Sequence, residues 1–271
     1  MDGYIQAKLN EPQTSLDWIS DKVLLYISKI EQELARDSGL VVTVSNYSRK
    51  KITEYYGIEP EKILIVPNGV DCTKFRPKEG PIDLKQKMNI HGKQCVLFVG
   101  RLVTGKGITF LIEAAQQIIK EYKDMVFVLV GGGPLRNSLA KQMNEKGVLE
   151  HFIFLGDVLG DVVSKLYNCA DIFALPSIQE GQGIVLLEAQ ASAKPVVSFN
   201  VCAIKEVVKN EETGLLVKPD SQELANAILK LLSDKALREK MGQAGREFVS
   251  KHFSWEICAE KMLQVYKEVA C

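Results

Sequence analysis

The stretch Cys95-Val-Leu-Phe-Val-Gly100 decides the fold class, because its apolar residues run without a polar interruption and stop at a glycine. A strand that is apolar on both faces is typical of a parallel sheet covered on both sides. Apolar residues at helical spacing follow over 108–122, and a second apolar run follows over 125–130. The order strand, helix, strand predicts a parallel βαβ unit.

The same alternation continues toward the end of the chain. Further strands are predicted at 152–155, 172–175, 195–198 and 214–217, and helices at 135–146, 162–168, 183–192, 221–232, 235–250 and 255–269. This alternation predicts an α/β fold with a Rossmann-like, doubly wound parallel sheet. Such folds bind ligands at the carboxyl ends of the strands, and the glycines and prolines of this sequence cluster there.

Residues 1–75 follow a different pattern. Helices are predicted over 16–34 and 48–56, the second capped by Ser45, and strands at 41–44 and 63–66. Parallel strands need cover on both faces, so we expect a remnant of an N-terminal domain most of which is absent. The alternative is that the two strands extend the main sheet. Polar residues with prolines and glycines predict a linker over 76–93, ahead of the main domain at 94–271.

The composition excludes several classes of function. The 271 residues carry 34 Lys and Arg against 34 Asp and Glu, and a net charge of zero argues against wrapping nucleic acid or coating an anionic membrane. No apolar run reaches the length of a membrane span, and residues 1–13 hold no apolar signal segment. The cysteines and histidines lack zinc or disulfide spacing. We therefore expect a cytoplasmic protein, with peripheral association at a membrane left open.

Two segments that follow the first two strands could bind an anion or a nucleotide. Residues 100–107 place Arg101 and Lys106 ahead of a helix, and two cations beside a helix N-terminus form an anion site. The alternative is a solvated turn with two surface cations. Residues 131–134, Gly-Gly-Gly-Pro, let the backbone approach a ligand but lack the glycine order of a dinucleotide fingerprint. As a simple strand-to-helix turn, these residues need no function.

The segment Pro176-Ser-Ile-Gln-Glu-Gly-Gln-Gly-Ile-Val-Leu-Leu-Glu188 carries the strongest functional signal. Glu180 is predicted in a loop after a strand, and Glu188 about one turn into a helix that starts near Gly183. A carboxylate accepts two hydroxyls at once, which suits the diol of a ribose or a sugar. The alternative is that both are solvated, but the apolar neighbours of Glu188 indicate a buried helix, where a carboxylate needs a partner.

Together with Val66-Pro-Asn-Gly-Val-Asp71, these segments resemble the retaining glycosyltransferases of family 4, the glycosyl transferases group 1. The matching stretches keep their order and spacing over about residues 40–270 and include Phe98-Val-Gly-Arg-Leu102 with Lys106-Gly107, residues 131–134, residues 180–188, residues 214–217 and Phe253-Ser-Trp255. The resemblance implies a GT-B fold, in which two Rossmann-like domains face a cleft. This chain would carry the C-terminal, donor-binding domain and the tail of the N-terminal one.

The resemblance also implies residue roles. Arg101 and Lys106 would hold the donor diphosphate and, with Glu180, form the catalytic set. Glu188 would bind the ribose hydroxyls, and Glu180 would contact the transferred sugar. The other donor-binding positions would supply backbone groups or lie near the base; they are Gly100, Gly156, Val158, Gly183, Ile184 and Val185. Gln182 departs from the family's pattern, since this position is more often aromatic or apolar.

The implied reaction transfers a sugar, with retention, from a UDP- or GDP-linked donor to a glycan or glycolipid acceptor. Fixed cations and helix N–H groups stabilise the leaving diphosphate. The sequence has no acidic metal triad, so we expect no metal and no cofactor besides the nucleotide sugar.

Because the N-terminal half is missing, three alternatives stay open for the chain itself. It is a truncated piece, a half-enzyme that associates with itself or with a separate N-terminal-half chain, or a non-catalytic nucleotide-sugar binder. Two rival functions fit the sequence less well. A nicotinamide dehydrogenase needs a glycine fingerprint that residues 100–107 lack, and a pure interaction module needs no charged residues at strand ends.

Overall fold

A computed structural model describes residues 15–78, 82–158 and 160–270. The sequence predictions therefore lie outside the described residues where they fall on 1–14, 79–81, 159 and 271. The contacts divide the chain into two compact units, Met1–Pro67 with Ala259–Cys271, and Asn68–Cys258. This boundary lies earlier than the predicted one at residue 75. The predicted division into 1–75, 76–93 and 94–271 stays a prediction.

The described residues of the first unit form helices and two short strands before Pro67. They are α1 (Ser15–Asp37), β1 (Val41–Thr43), α2 (Asn46–Tyr56) and β2 (Ile63–Ile65). β1 and β2 pair in parallel, as expected, and within the described residues they form a sheet of their own. The alternative in which they extend the main sheet is therefore wrong. Ser45 caps α2 as predicted, because its side chain accepts the N–H of Ser48.

In the described part of the second unit, six strands and all but two of the helices appear close to their predicted bounds. The strands are β3 (Gln94–Val99), β4 (Met125–Val130), β5 (Phe152–Gly156), β6 (Ile172–Leu175), β7 (Val196–Phe199) and β8 (Gly214–Val217). The helices are α3 (Ile82–Lys87), α4 (Ile108–Glu121), α5 (Arg136–Glu145), α6 (Val162–Cys169), α7 (Ile184–Ala191), α8 (Ile204–Val207), α9 (Ser221–Ser233), α10 (Lys235–His252) and α11 (Trp255–Ala270). Helix α11 begins in the second unit, which ends at Cys258.

The strand order of this main sheet is β5-β4-β3-β6-β7-β8, and every described pairing in it is parallel. The chain moves outward from β3 to β5, and it then returns to the other side of β3 to form β6. The order therefore reverses between β3 and β6, which confirms the expected doubly wound sheet. In such sheets the crevice beyond the carboxyl ends at this reversal is where ligands bind.

The core of the second unit lies on both faces of this sheet. All the residues of β4, β6 and β7 are buried, as expected for central strands of a parallel sheet that is covered on both faces. Helices α4 and α9 pack together, and so do α7 and α10, which gives cover on both faces. Two short helices, α3 and α8, were not predicted. Helix α3 lies inside the predicted linker, 76–93. Ile90, which also lies in that linker, is only 1% exposed because its side chain packs into this core.

Candidate active site

Two loops meet at the point where the strand order reverses. We call residues 100–107, which follow β3, the β3 loop, and residues 176–183, which follow β6, the β6 loop. The N–H of Ile178 donates to the carbonyl oxygen of Gly105 at 3.0 Å. A Cβ on Gly107 would lie 2.0 Å from the carbonyl oxygen of Pro176. The reversal of strand order thus brings the two predicted functional segments into direct backbone contact.

Lys106 and Glu180 form an ion pair between these two loops. A short 3₁₀ turn, Thr104–Lys106, presents the lysine and ends at Gly107, whose φ is 64°. The Lys106 Nζ atom contacts Oε1 of Glu180, and the hydroxyl of Ser177 donates to the same oxygen at 2.9 Å. Glu180 is 8% exposed, and a buried carboxylate needs both a counter-charge and hydrogen bonds. The ion pair therefore supplies what burial of Glu180 requires.

Arg101 differs from Lys106 in its surroundings. It lies two residues after the end of β3, and its side chain is exposed. Among the residues that the structure describes, Arg101 makes no ion pair. A guanidinium carries five N–H donors in a planar fork that fits phosphate oxygens. The geometry therefore leaves the donors of Arg101 available to a ligand at this edge of the sheet.

Glu188 points toward Tyr167, which lies on α6. Its Oε2 atom accepts the Tyr167 hydroxyl at 2.8 Å. Burial raises the pKa of Glu188 above its usual range, while the Tyr167 bond and the charge of Lys74 act in the opposite direction. Burial and the neighbouring carboxylate also hold the Tyr167 pKa well above its ordinary value. Glu188 thus has the hydrogen-bond partner that a buried carboxylate requires, namely the Tyr167 hydroxyl. Its second oxygen, Oε1, can still accept a hydrogen bond.

The N-terminus of α7 lies directly after the β6 loop. Gly183 precedes the helix with φ of 85°, a left-handed conformation that glycine adopts without strain. The N–H groups of Gly183, Ile184 and Val185 have no carbonyl partner within α7, because the first N–H groups of a helix lack a preceding turn to bond to. Both the N–H groups and the helix dipole favour an anion here. The predicted backbone donors therefore lie at the start of α7, directly after the loop that carries Glu180.

The glycines of the neighbouring loops bring strand ends close together. The N–H of Gly131 donates to the carbonyl oxygen of Gly156 at 2.7 Å, and a Cβ on Gly131 would lie 2.1 Å from the carbonyl oxygen of Gly100. This contact gives residues 131–134 a structural reason to be glycine-rich. β5 lies two positions from β3 in the sheet. Gly156 and Val158 therefore lie at the same carboxyl edge of the sheet as Lys106, but they follow a different strand. Their place near a base stays a prediction.

Three residues of this site escaped the sequence analysis: Ser177, Tyr167 and Lys74. Ser177 had a local signal, because it precedes Glu180 by three residues, a spacing at which a hydroxyl can reach a glutamate. Tyr167 lies 21 residues from Glu188 and Lys74 lies still further, so no local pattern links them. Their roles depend on the packing of α6 beside α7.

A cleft of about 520 Å³ opens in the second unit on the side of Tyr167 and Lys74, between residues 71–78 and α6. Its lining includes Lys74, Lys78 and Lys165. Several of its polar groups already bond within the protein: Asp71 accepts the N–H groups of Thr73 and Lys74, and Asn168 accepts the N–H of Lys78. The candidate active site is therefore the reversal of strand order, where the β3 loop and the β6 loop meet.

Two further observations concern metals and membranes. In residues 15–78, 82–158 and 160–270, no three His, Cys, Asp or Glu side chains gather as metal ligands do. No helix in the described ranges has the length and apolar character needed to cross a bilayer. Independence of metal and cofactor stays a prediction.

Comparison with known proteins identifies the family. The family model for glycosyl transferases group 1 matches residues 82–248, which is more than half of the chain. This chain belongs to the glycosyl transferases group 1 family. The model for glycosyltransferase family 4 matches residues 14–74, so the stretch before the main sheet also belongs to a known glycosyltransferase segment. The resemblance stated from the sequence is confirmed.

Curated relatives support this membership. The group 1 chain is 32% identical over 236 residues to an uncharacterized glycosyltransferase of Methanocaldococcus jannaschii, covering 85% of this chain and 60% of the relative. It is 33% identical over 234 residues to a GDP-mannose-dependent alpha-(1-6)-phosphatidylinositol monomannoside mannosyltransferase of Mycobacterium tuberculosis, covering 83% of this chain and 60% of that protein. The chain thus spans about 60% of the length of these relatives.

A solved structure supports the fold. Sucrose-phosphate synthase of Thermosynechococcus elongatus superposes with a TM-score of 0.79 at 29% identity, over 89% of this chain and 61% of that one. The expected GT-B type of fold is confirmed by this match.

Proposed function

We propose that this group 1 chain is the donor-binding part of a retaining, metal-independent glycosyltransferase. It would move a sugar from a nucleotide-diphosphate sugar to a glycan or glycolipid acceptor. The observation that carries the proposal is the meeting of Lys106 and Glu180 beside the N-terminus of α7, where the strand order reverses. A relative named for its GDP-mannose dependence supports a nucleotide sugar as the donor. A UDP-linked donor is the other option within the proposal.

In the proposed reaction, the bond between the anomeric carbon and the diphosphate oxygen breaks, and its electron pair stays on the diphosphate. The exposed guanidinium of Arg101, the ammonium of Lys106 and the N–H groups at the start of α7 would stabilise that charge. The acceptor hydroxyl would attack the same face of the sugar and pass its proton to the leaving diphosphate. Glu180 would contact the sugar, and Glu188 the ribose diol through Oε1.

The proposal includes an alternative for the chain taken alone. β1 and β2 form a sheet of their own within the described residues, and such a small sheet is marginal in isolation. The chain would then be a half-enzyme that associates with a second copy or with a separate N-terminal-half chain, or else a non-catalytic nucleotide-sugar-binding module. The proposal also includes a cytoplasmic location, either free in the cytoplasm or peripheral at a membrane.

Calorimetric titration with UDP, GDP and ADP tests the proposal directly. We expect at least one of the three to bind, because every proposed donor contact lies after residue 95, within the second unit. Adenosine, uridine and guanosine serve as controls without phosphate, and each should bind more weakly than its diphosphate. A folded sample that binds none of the diphosphates would contradict the proposed site.

The two glutamates should have separable effects on donor binding. Glu188→Gln should weaken every ribose-containing ligand, because a neutral amide is a poorer acceptor for a diol. Glu180→Gln should lower the affinity for a nucleotide sugar relative to its diphosphate. It should leave the diphosphate bound as well or better, since Lys106 then loses its carboxylate partner. Titrations of each variant with UDP, UDP-glucose, GDP and GDP-mannose measure this, and reversed selectivities would exchange the two roles.

A further inference from the structure

Gln182 lies in the β6 loop between Glu180 and the start of α7, and it has no assigned role. Its side chain is 4% exposed. Oε1 accepts the backbone N–H of Asn68 at 2.8 Å, and Nε2 donates to the backbone carbonyl of Asn68 at 2.9 Å. The amide therefore pairs with both polar groups of one residue, in the way that a neighbouring strand would.

The segment that Gln182 grips is itself fixed. The N–H of Val70 donates to the carbonyl oxygen of Phe253 at 2.8 Å. Gly69 packs so closely that a Cβ there would lie 2.8 Å from the Cα atom of Trp255. Both contacts lie within the second unit. The backbone directly after Asn68 is therefore held by residues near the start of α11, and this restrains the partner of the Gln182 side chain.

The β6 loop has contacts on its other sides as well. Ser177 and Lys106 hold the carboxylate of Glu180, and the carbonyl oxygen of Glu180 accepts the N–H of Ala203 at 3.4 Å. Those contacts restrain the loop up to Glu180. Gln182 adds a contact to the last turn of the loop before α7, where the backbone must reach the left-handed conformation of Gly183.

We propose that Gln182 is a positioning residue, which sets Glu180 and the N-terminus of α7 by pairing with the Asn68 backbone. It acts through Glu180 and touches no reacting atom. This inference rests on the proposed function, because it assigns Gln182 to the sugar side of the donor site. Loss of the pairing should loosen the loop around Glu180 and should leave Arg101 in place.

The test variant is Gln182→Met, which keeps length and volume and removes both hydrogen bonds. The matched control is Gln190→Met. Gln190 is a fully buried glutamine on α7 that also donates to backbone carbonyls, those of Leu186 and Val207, away from the β6 loop. Gln182→Met leaves the N–H and the carbonyl of Asn68 without their side-chain partner, and Gln190→Met removes the side-chain donor to the Val207 carbonyl, so both should lower the free energy of unfolding. Thermal denaturation verifies that each sample is folded before binding is measured.

The readout that separates positioning from stability is a ratio of affinities. We expect Gln182→Met to lower the ratio of UDP-glucose to UDP affinity, or of GDP-mannose to GDP affinity, about tenfold, the equivalent of one or two lost hydrogen bonds. Gln190→Met should leave the ratio within twofold of the unaltered chain. An unchanged ratio in Gln182→Met, or an equal fall in both variants, would overturn the inference.

Hydrogen exchange of the ligand-free chain gives an independent arm. Gln182→Met should speed amide exchange in residues 177–183 and at Asn68, and Gln190→Met should not. If the unaltered chain binds none of UDP, UDP-glucose, GDP and GDP-mannose, the proposed function fails. The hydrogen-exchange experiment then tests the positioning role by itself. Unchanged exchange in residues 177–183 would then reject it.

Discussion

Lys106→Ala should weaken the binding of UDP and GDP about ten- to a hundredfold, because a charge-assisted contact to phosphate contributes roughly 1.5–3 kcal/mol. The same change should also lower the free energy of unfolding by about 1–3 kcal/mol. The reason is Glu180, which is 8% exposed and would keep only the Ser177 hydroxyl as a partner. Calorimetry and denaturant unfolding of the same samples measure the two effects.

Arg101→Ala and a double variant are the controls. Arg101 is exposed, so its removal should weaken diphosphate binding by a similar factor and leave stability within about 0.5 kcal/mol. Lys106→Ala combined with Glu180→Gln should recover much of the lost stability, because no charge is then left buried, but not the affinity. Diphosphate binding that persists unchanged in Lys106→Ala would show that Lys106 serves the fold alone.

Gly107→Ala should strongly destabilise the β3 loop. The new Cβ would lie 2.0 Å from the carbonyl oxygen of Pro176, and the residue has φ of 64°, which costs a non-glycine residue about 1–2 kcal/mol. The β3 and β6 loops would have to separate. We expect a loss of about 3 kcal/mol or more, which lowers the melting temperature by roughly 6–12 °C for a unit of this size.

Gly105→Ala is the matched control in the same turn, since a Cβ there meets no atom within 4 Å. It should change the melting temperature by no more than about 2 °C. Diphosphate affinity should fall in Gly107→Ala and hold in Gly105→Ala, because the separation of the two loops also moves Lys106 away from the start of α7. Equal melting temperatures for the two variants would show that the loops are not in close contact in solution.

The residues of the β3 loop and the β6 loop were singled out from the sequence, and so were Arg101, Lys106, Glu180 and Glu188. Glycine, charge and strand-end position are local properties, and the family resemblance rests on the same motifs. What the sequence treated as separate roles, a phosphate contact and a sugar contact, the structure joins in one ion pair. Lys106 and Glu180 are 74 residues apart, and no local pattern specifies which strand lies beside β3.

Gln182 shows the same limit more sharply. The sequence marked it as a departure from a family pattern and gave no partner for it. Its partner, Asn68, is 114 residues away. Only the folded chain brings a turn before the main sheet against a loop that follows β6, and only then does a buried amide acquire a donor and an acceptor.

The amino-acid sequence was enough to predict the elements of the main sheet and their parallel direction, and it pointed to the sheet edge that carries the candidate site. Apolar runs and helical spacing are set by neighbouring residues, so strands such as Met125–Val130 and Ile172–Leu175 appear at their predicted bounds. Only the folded chain shows that β1 and β2 stay apart from that sheet, that α3 interrupts the predicted linker, and that Tyr167 and Asn68 contact residues of the candidate site. These outcomes depend on strand order and on helix packing, which arise from contacts between residues far apart in the chain.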